Sequence, residues 1–162
     1  MGKLCAFFGH REIPADMEPM LRAQVIRAIT EFGVTRFING GYGEFDHLAA
    51  RVVHALKAEY PHIRNTLIHA YKPESDYTPR VFDGTYYPKE LLDDLPDKWH
   101  IPCRNIWMAD QCDLVIAYVN HADSRIYEPL DHVLSKKPIV NLCSYIPKEE
   151  VPFRRRKTNA DA

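Results

Sequence analysis

A chain of 162 residues with 46% hydrophobic and 27% charged residues has the size of one domain and enough apolar material for a real core, which excludes global disorder. Lysine and arginine number 21 against 22 aspartates and glutamates, so a formal net charge of −1 gives no whole-protein electrostatic grip on nucleic acid or an anionic membrane. The apolar runs are too short to span a bilayer, and the first residues resemble neither a signal peptide nor, with Ala6, a myristoylation site; the expected location is the cytosol.

Residues 4–8 are continuously apolar, the pattern of a strand covered on both faces. Gly9, His10 and Arg11 end it. Asp16 stands where a helix N-cap belongs, Pro19 is tolerable in the first turn, and Leu21, Val25, Ile26, Ile29 and Phe32 recur at helical spacing. Gly33 is expected to turn the chain out of that helix through a left-handed conformation. Residues 34–38 read as the second strand and lead into Asn39-Gly40-Gly41-Tyr42-Gly43. The next helix turns Phe45, Leu48, Ala49, Val52, Val53 and Leu56 inward and stops before Pro61. Residues 65–71 make a third strand. Across 72–101 prolines punctuate a stretch crowded with Tyr77, Phe82, Tyr86, Tyr87 and Trp99, so a long functional loop with a short helix over 89–95 is predicted. Then follow a helix over 104–112, a strand over 113–119, a helix over 128–135 and a strand over 138–142.

This strand–helix alternation predicts parallel strands joined by right-handed crossovers, an α/β, Rossmann-like three-layer sandwich with a mainly parallel sheet of about five strands over residues 1–146. Residues 147–162, with Arg154, Arg155, Arg156 and Lys157, are expected to be a solvated basic polar tail.

Ligands of such sheets bind outside the carboxyl ends of the strands. The glycine loop after the second strand combines backbone freedom with the amides and positive dipole end of the following helix, an arrangement suited to an anion, with Arg11 one strand away as a clamp. It matches neither the P-loop nor the dinucleotide fingerprint. Glu44 and Asp46 open that helix. They either answer its dipole or serve a ligand, accepting hydrogen bonds from a ribose or base or stabilising an oxocarbenium ion. The cysteines form no C-x-x-C pair and read as small buried hydrophobes, and His100 with Cys103 lacks a second ligand pair, so neither metal nor cofactor is expected.

The runs CAFFGHREIP, NGGYGEFDHLAARVV, CRNIWMADQCDLVIAYV and KKPIVNL, in that order over residues 4–142, resemble a branch of the SLOG superfamily (the SMF/DprA–LOG group), and more narrowly the small YpsA/YoqJ-like bacterial proteins. The resemblance implies a Rossmann-like fold binding a nucleotide or nucleotide-derived ligand, as a sensor. As in the LOG branch, it implies cleavage of the N-glycosidic bond of a nucleoside monophosphate as the alternative. Carried over by position, it points to Gly9, His10 and Arg11, to Gly40, Gly41, Gly43, Phe45 and Asp46, and to Arg104, Asn105 and Trp107. For catalysis the candidates are Asp46, Glu44 and, as a positional counterpart of the LOG glutamate, Glu128. The superfamily's second small-residue turn, Gly-Gly-Ala, is replaced here by Asn120-His121-Ala122-Asp123-Ser124-Arg125-Ile126-Tyr127, which motivates a third expectation: an interaction protein with a filled pocket. The expected partners are a small nucleotide-like ligand and, by default, a second copy in a homodimer, with neither nucleic acid nor membrane.

Overall fold

The computed structural model describes residues 2–120 and 136–144. The apolar runs become strands β1 (Lys3–Gly9), β2 (Val34–Asn39), β3 (Arg64–Ile68), β5 (Leu114–Tyr118) and β6 (Ile139–Asn141), and a further short strand, β4 (Gly84–Tyr86), lies in the aromatic stretch. Between them run α1 (Glu18–Thr30), α2 (Gly43–Leu56), α3 (Lys89–Leu92) and α4 (Asp97–Gln111). All strand pairs are parallel in one six-stranded sheet of order β4-β3-β2-β1-β5-β6, one strand more than the sequence predicts.

Successive strand residues face opposite sides of the sheet, so each central strand feeds two cores. On one side Cys5, Phe7, Val34, Phe37, Leu114 and Ile116 pack under Leu21 and Val25 of α1 and Phe45, Ala49 and Val53 of α2. On the other, Ala6, Phe8, Ile38, Ile68, Val115 and Ala117 pack against Met108, Ala109 and Cys112 of α4. Phe7 stacks on Phe37 with ring centroids 5.7 Å apart and meets Phe45 edge-on at 6.3 Å; burial of each such ring is worth about 1.5–3 kcal/mol. The chain winds from β1 outward to β4, then crosses back to β5 and β6. Right-handed crossovers in opposite directions put helices on opposite faces, hence α1 and α2 on one side and α4 on the other.

Several boundaries differ from the sequence pattern for identifiable reasons. Asp16 does not cap α1; its N-cap is Met17, which makes no side-chain cap and is buried, so the first turn is fixed by packing. Gly33 does turn the chain at φ 73°. β3 ends at Ile68, short of 71, and α3 ends at Leu92, short of 95. α4 starts seven residues before 104 and carries Pro102 within it, so its first turns fall in the proline-punctuated stretch expected to be loop. β4 joins the sheet by pairing Thr66, Leu67 and Ile68 with Gly84, Thr85 and Tyr86. Trp107 is half-buried against the α4 core and stacks on Tyr86 at 5.4 Å. Cys5 and Cys112 are buried, but Cys143 is exposed. The expected helix over 128–135 and the tail over 147–162 lie outside the described residues.

Gly9 closes β1 where a side chain cannot fit. A Cβ there would fall 2.1 Å from Cγ of Phe45. Gly9→Ala is therefore expected to lower stability by about 1–3 kcal/mol through overpacking. Gly33→Ala, which meets no neighbour within 4 Å but sits at φ +73°, should cost only the left-handed penalty of about 1–2 kcal/mol. Urea unfolding with an unchanged m-value checks both.

Candidate functional site

The sheet reverses its winding between β1 and β5, and the loops leaving those strands diverge there. His10 bridges the two. Its backbone amide donates to the carbonyl of Tyr118 (3.3 Å), and its Nε2 accepts from the amide of Asn120 (2.9 Å), which puts the ring proton on Nδ1 when the imidazole is neutral. Above this crevice lies a cavity of about 730 Å³ lined by the β1 end, the glycine loop and α4.

The loop amides are not open to a ligand as the sequence suggests. Asn39, wholly buried at the end of β2, accepts from the Gly41 amide through Oδ1 (2.8 Å) and donates through Nδ2 to the carbonyl of Asp46 (3.0 Å). The Tyr42 amide donates to Asp46 Oδ2 (3.1 Å). At the start of α2 the amides of Glu44 and Phe45 donate to the carbonyls of Arg11 (2.9 Å) and His10 (3.4 Å). The expected cradle of free amides is thus corrected at these four positions: the protein uses them to tie the loop to α2 and to the β1 end.

The glycines also serve the protein's own packing. A Cβ on Gly40 would sit 2.6 Å from Cζ of Arg104, and Gly41 and Gly43 hold φ of +74° and +87°, the latter with the Arg11 Cα 2.8 Å from where its Cβ would be. Gly40 is small so that Arg104 can enter. That arginine is 2% exposed; its Nη1 donates to the carbonyls of Gly40 (3.1 Å) and Ile68 (2.7 Å), and its Nε to Oδ1 of Asn105 (2.8 Å). Its guanidinium lies 5.3 Å from the centre of the Tyr42 ring.

Asp46 shares the cavity wall with Arg104. Oδ2 holds the Tyr42 amide, while Oδ1 is enclosed with no hydrogen-bond partner among the described residues. Burial pushes its pKa up to about 7, against the opposing pull of the Tyr42 amide and the Arg104 charge. Near neutral pH the group therefore both donates and accepts.

Of the sequence candidates, Gly9, His10, Arg11, Gly40, Asp46, Arg104 and Asn105 line the cavity. Gly41, Gly43 and Phe45 stand behind it, Phe45 wholly buried in the α1–α2 core. Glu44 accepts the Ile13 amide (3.1 Å) through Oε2 and braces the β1–α1 loop. Glu128, Arg125 and Tyr127 lie outside the described residues, as does the question of a filled pocket that depends on them. The cavity is also lined by Phe7, Phe8, Glu12, Ile101 and Met108, and by Tyr42 and Asn120, which the sequence places in the loops after β2 and β5 without a role. Tyr42, inside the glycine loop, and Asn120, two residues past β5, were findable from their places at strand ends. Among the described residues no cluster of His, Cys, Asp or Glu is arranged to hold a metal. His100, paired with Cys103 by spacing, has its ring nitrogens against the carbonyls of Ala70 (2.7 Å) and Leu95 (2.9 Å). No described helix is long and apolar enough to cross a membrane.

These features define an α/β protein of Rossmann-like architecture with a polar cavity at the switch point of an all-parallel sheet. Neither a family model nor a curated protein matches the sequence. Solved structures do share the fold. DNA processing protein A from Helicobacter pylori, described for its single-stranded DNA binding mode, superposes with a TM-score of 0.54 at 16% identity, over 85% of this chain and 64% of that one. This chain therefore spans less than two thirds of that protein. The molybdenum cofactor carrier protein from Chlamydomonas reinhardtii gives a TM-score of 0.52 at 15% identity over 88% of this chain and 77% of that one. A second structure of the Chlamydomonas carrier gives 0.50 at 15% identity over 91% and 80%.

Proposed function

We propose that this protein is a SLOG-type module that binds a small anionic ligand of nucleotide type in the switch-point cavity. The observation that carries the reading is one buried arginine and one buried carboxyl facing the same open cavity. The Arg104 fork, with Nη2 making no hydrogen bond among the described residues, suits a phosphate or carboxylate. Arg11, exposed at the rim, adds charge from the mouth. Asp46, protonated below about pH 7, donates to the ligand without repelling a phosphate. The half-exposed Tyr42 ring supplies a face for stacking. Two proteins of this fold are described as a single-stranded DNA binder and a cofactor carrier, so the fold is one that serves ligand binding. The formal net charge of −1 favours a small ligand over a polynucleotide.

Isothermal titration with the four ribonucleoside monophosphates tests the reading. The wild type is expected to bind at least one of them. Arg11→Ala should weaken it about ten-fold by removing one charge-assisted contact, and affinity should fall as pH rises through about 7 and Asp46 becomes anionic. A folded wild type that binds none of the four overturns it.

A second reading, cleavage of an N-glycosidic bond, draws on the same carboxyl: a proton held near neutrality suits a general acid. It predicts free base released from a nucleoside monophosphate by the wild type and none by Asp46→Asn, measured by chromatography.

A further inference from the structure

Beside the first cavity, across the ridge formed by Gly40 and Tyr42, lies a second of about 540 Å³ between α2, the end of β3 and the segment before β4. Those two residues belong to both walls. The chemistry of the two sides differs. The first sets Arg104, Asp46, His10 and Asn105 against Phe8, Ile101 and Met108; the second is mostly apolar, with Leu67, Ala50, Pro79, Val81 and Phe82 and with His69 among them.

We propose that this second cavity is a subsite for a planar heteroaromatic group, the base of the ligand whose anionic part occupies the first. The inference rests on the nucleotide-type reading and adds where the base goes. His69 is the observation that points to a ligand. It lines the cavity, and its Nε2 is enclosed with no hydrogen-bond partner among the described residues. Burial and the Arg104 charge hold its pKa down, so at neutral pH the ring offers a neutral nitrogen, able to pair with a heterocycle rather than a phosphate. The other titratable groups of this wall are His47, whose Nε2 is 3.0 Å from the Gly41 carbonyl, and the exposed Tyr42, Arg51 and Tyr71.

The wall is built in advance. Asn65, wholly buried at the start of β3, donates through Nδ2 to the carbonyls of Val81 (2.9 Å) and Ala50 (3.2 Å), joining the segment before β4 to α2. Asp83 accepts the Asn65 amide (2.7 Å) and pairs with Lys57. The apolar side chains of Val81 and Phe82 are thereby held opposite Leu67 and Ala50 without a ligand's help. Tyr42, shared by both walls, is placed to contact the ligand where its two parts join.

The test compares AMP and GMP with ribose 5-phosphate by titration calorimetry on the full chain. AMP or GMP is expected to bind at least about ten-fold tighter than ribose 5-phosphate, the size of one stacked base. Val81→Trp, which fills the second cavity and leaves the first untouched, should erase that advantage while ribose 5-phosphate binds as before. His69→Phe, which keeps the ring and removes its nitrogens, should reduce the advantage by several-fold. In the wild type the His69 ring resonances should shift on adding the nucleotide and not on adding ribose 5-phosphate. Equal affinity for the sugar phosphate and the nucleotides, an advantage that survives in a folded Val81→Trp, or unmoved His69 resonances in the bound state overturns the subsite and leaves the first-cavity reading standing. A wild type that binds neither nucleotide nor ribose 5-phosphate overturns both.

Discussion

Asp46→Asn is expected to be more stable than the wild type at pH 8 and to remove much of the wild type's pH dependence between pH 4 and 8. In the folded chain this carboxyl titrates at about 7 against an ordinary value of 3.8. Below pH 4 folded and unfolded chains both hold the proton, and no difference arises. Between roughly pH 4 and 7 the folded chain holds it and the unfolded chain does not, so stability falls by about 1.4 kcal/mol per pH unit. Above pH 7 the loss is complete, about 4 kcal/mol in all. Asparagine keeps an acceptor for the Tyr42 amide but puts an amide group where Oδ1 is enclosed, which returns part of the gain. A net advantage of about 2–4 kcal/mol at pH 8, shrinking to nothing or reversing near pH 4, is expected from urea unfolding across the pH range. A variant whose stability tracks pH as steeply as the wild type's would show that the buried proton belongs to another group.

That cost bears on function. A carboxyl that destabilises the fold at neutral pH, in the wall of an open cavity beside a buried arginine, is more than its structural task needs, since asparagine would also accept the Tyr42 amide. Perturbed acids in clefts concentrate where ligands are handled. Glu44, two residues earlier on the same helix turn, shows the contrast: it is exposed and accepts the Ile13 amide. The sequence favours Asp46 over Glu44 only for its place one turn in beside the glycines; it does not show the burial, which depends on what α4 and the β1 loop bring over the helix start.

The same distinction separates what was legible from what was not. β1, β2, β5 and α2 could be read because an unbroken apolar run or a 3.6-residue stripe reports burial directly. Gly84-Thr85-Tyr86 carries no such period, and β4 exists only because β3 offers it an edge. The glycines were legible as special positions but not for their cause. Gly9 makes room for Phe45 and Gly40 for Arg104, side chains 36 and 64 residues further along the chain. Spacing cannot tell a glycine that admits a ligand from one that admits the protein itself. Arg104 falls on the surface of α4 by periodicity and became a candidate only through the resemblance. His69 carried no signal, since its enclosed nitrogen depends on the return of residues 79–82 over β3.

Arg104→Met is expected to be the most damaging single change at the site, lowering stability by about 3–5 kcal/mol. Its Nη1 holds the carbonyls that end β2 and β3 onto α4, and its Nε holds Asn105, all within a residue 2% exposed. Methionine matches the stem but leaves those carbonyls without their donor. Lysine keeps the charge and loses the planar fork, so Arg104→Lys should cost less than methionine yet well over 1 kcal/mol. The arginine also pulls the Asp46 pKa down, so Arg104→Met should move that titration above its present value of about 7. A double-mutant cycle with Asp46→Asn separates the two roles. At pH 8, where Asp46 is ionised, the pair should show a coupling of about 0.5–3 kcal/mol. At pH 5, where the carboxyl is protonated, the charge–charge part of that coupling should vanish, while the hydrogen bonds of Arg104 to Gly40, Ile68 and Asn105, in which Asp46 takes no part, cancel in the cycle at either pH. Equal coupling at both pH values would mean that the two side chains communicate through packing alone, and that the cavity presents a fixed positive charge rather than one tuned by a proton.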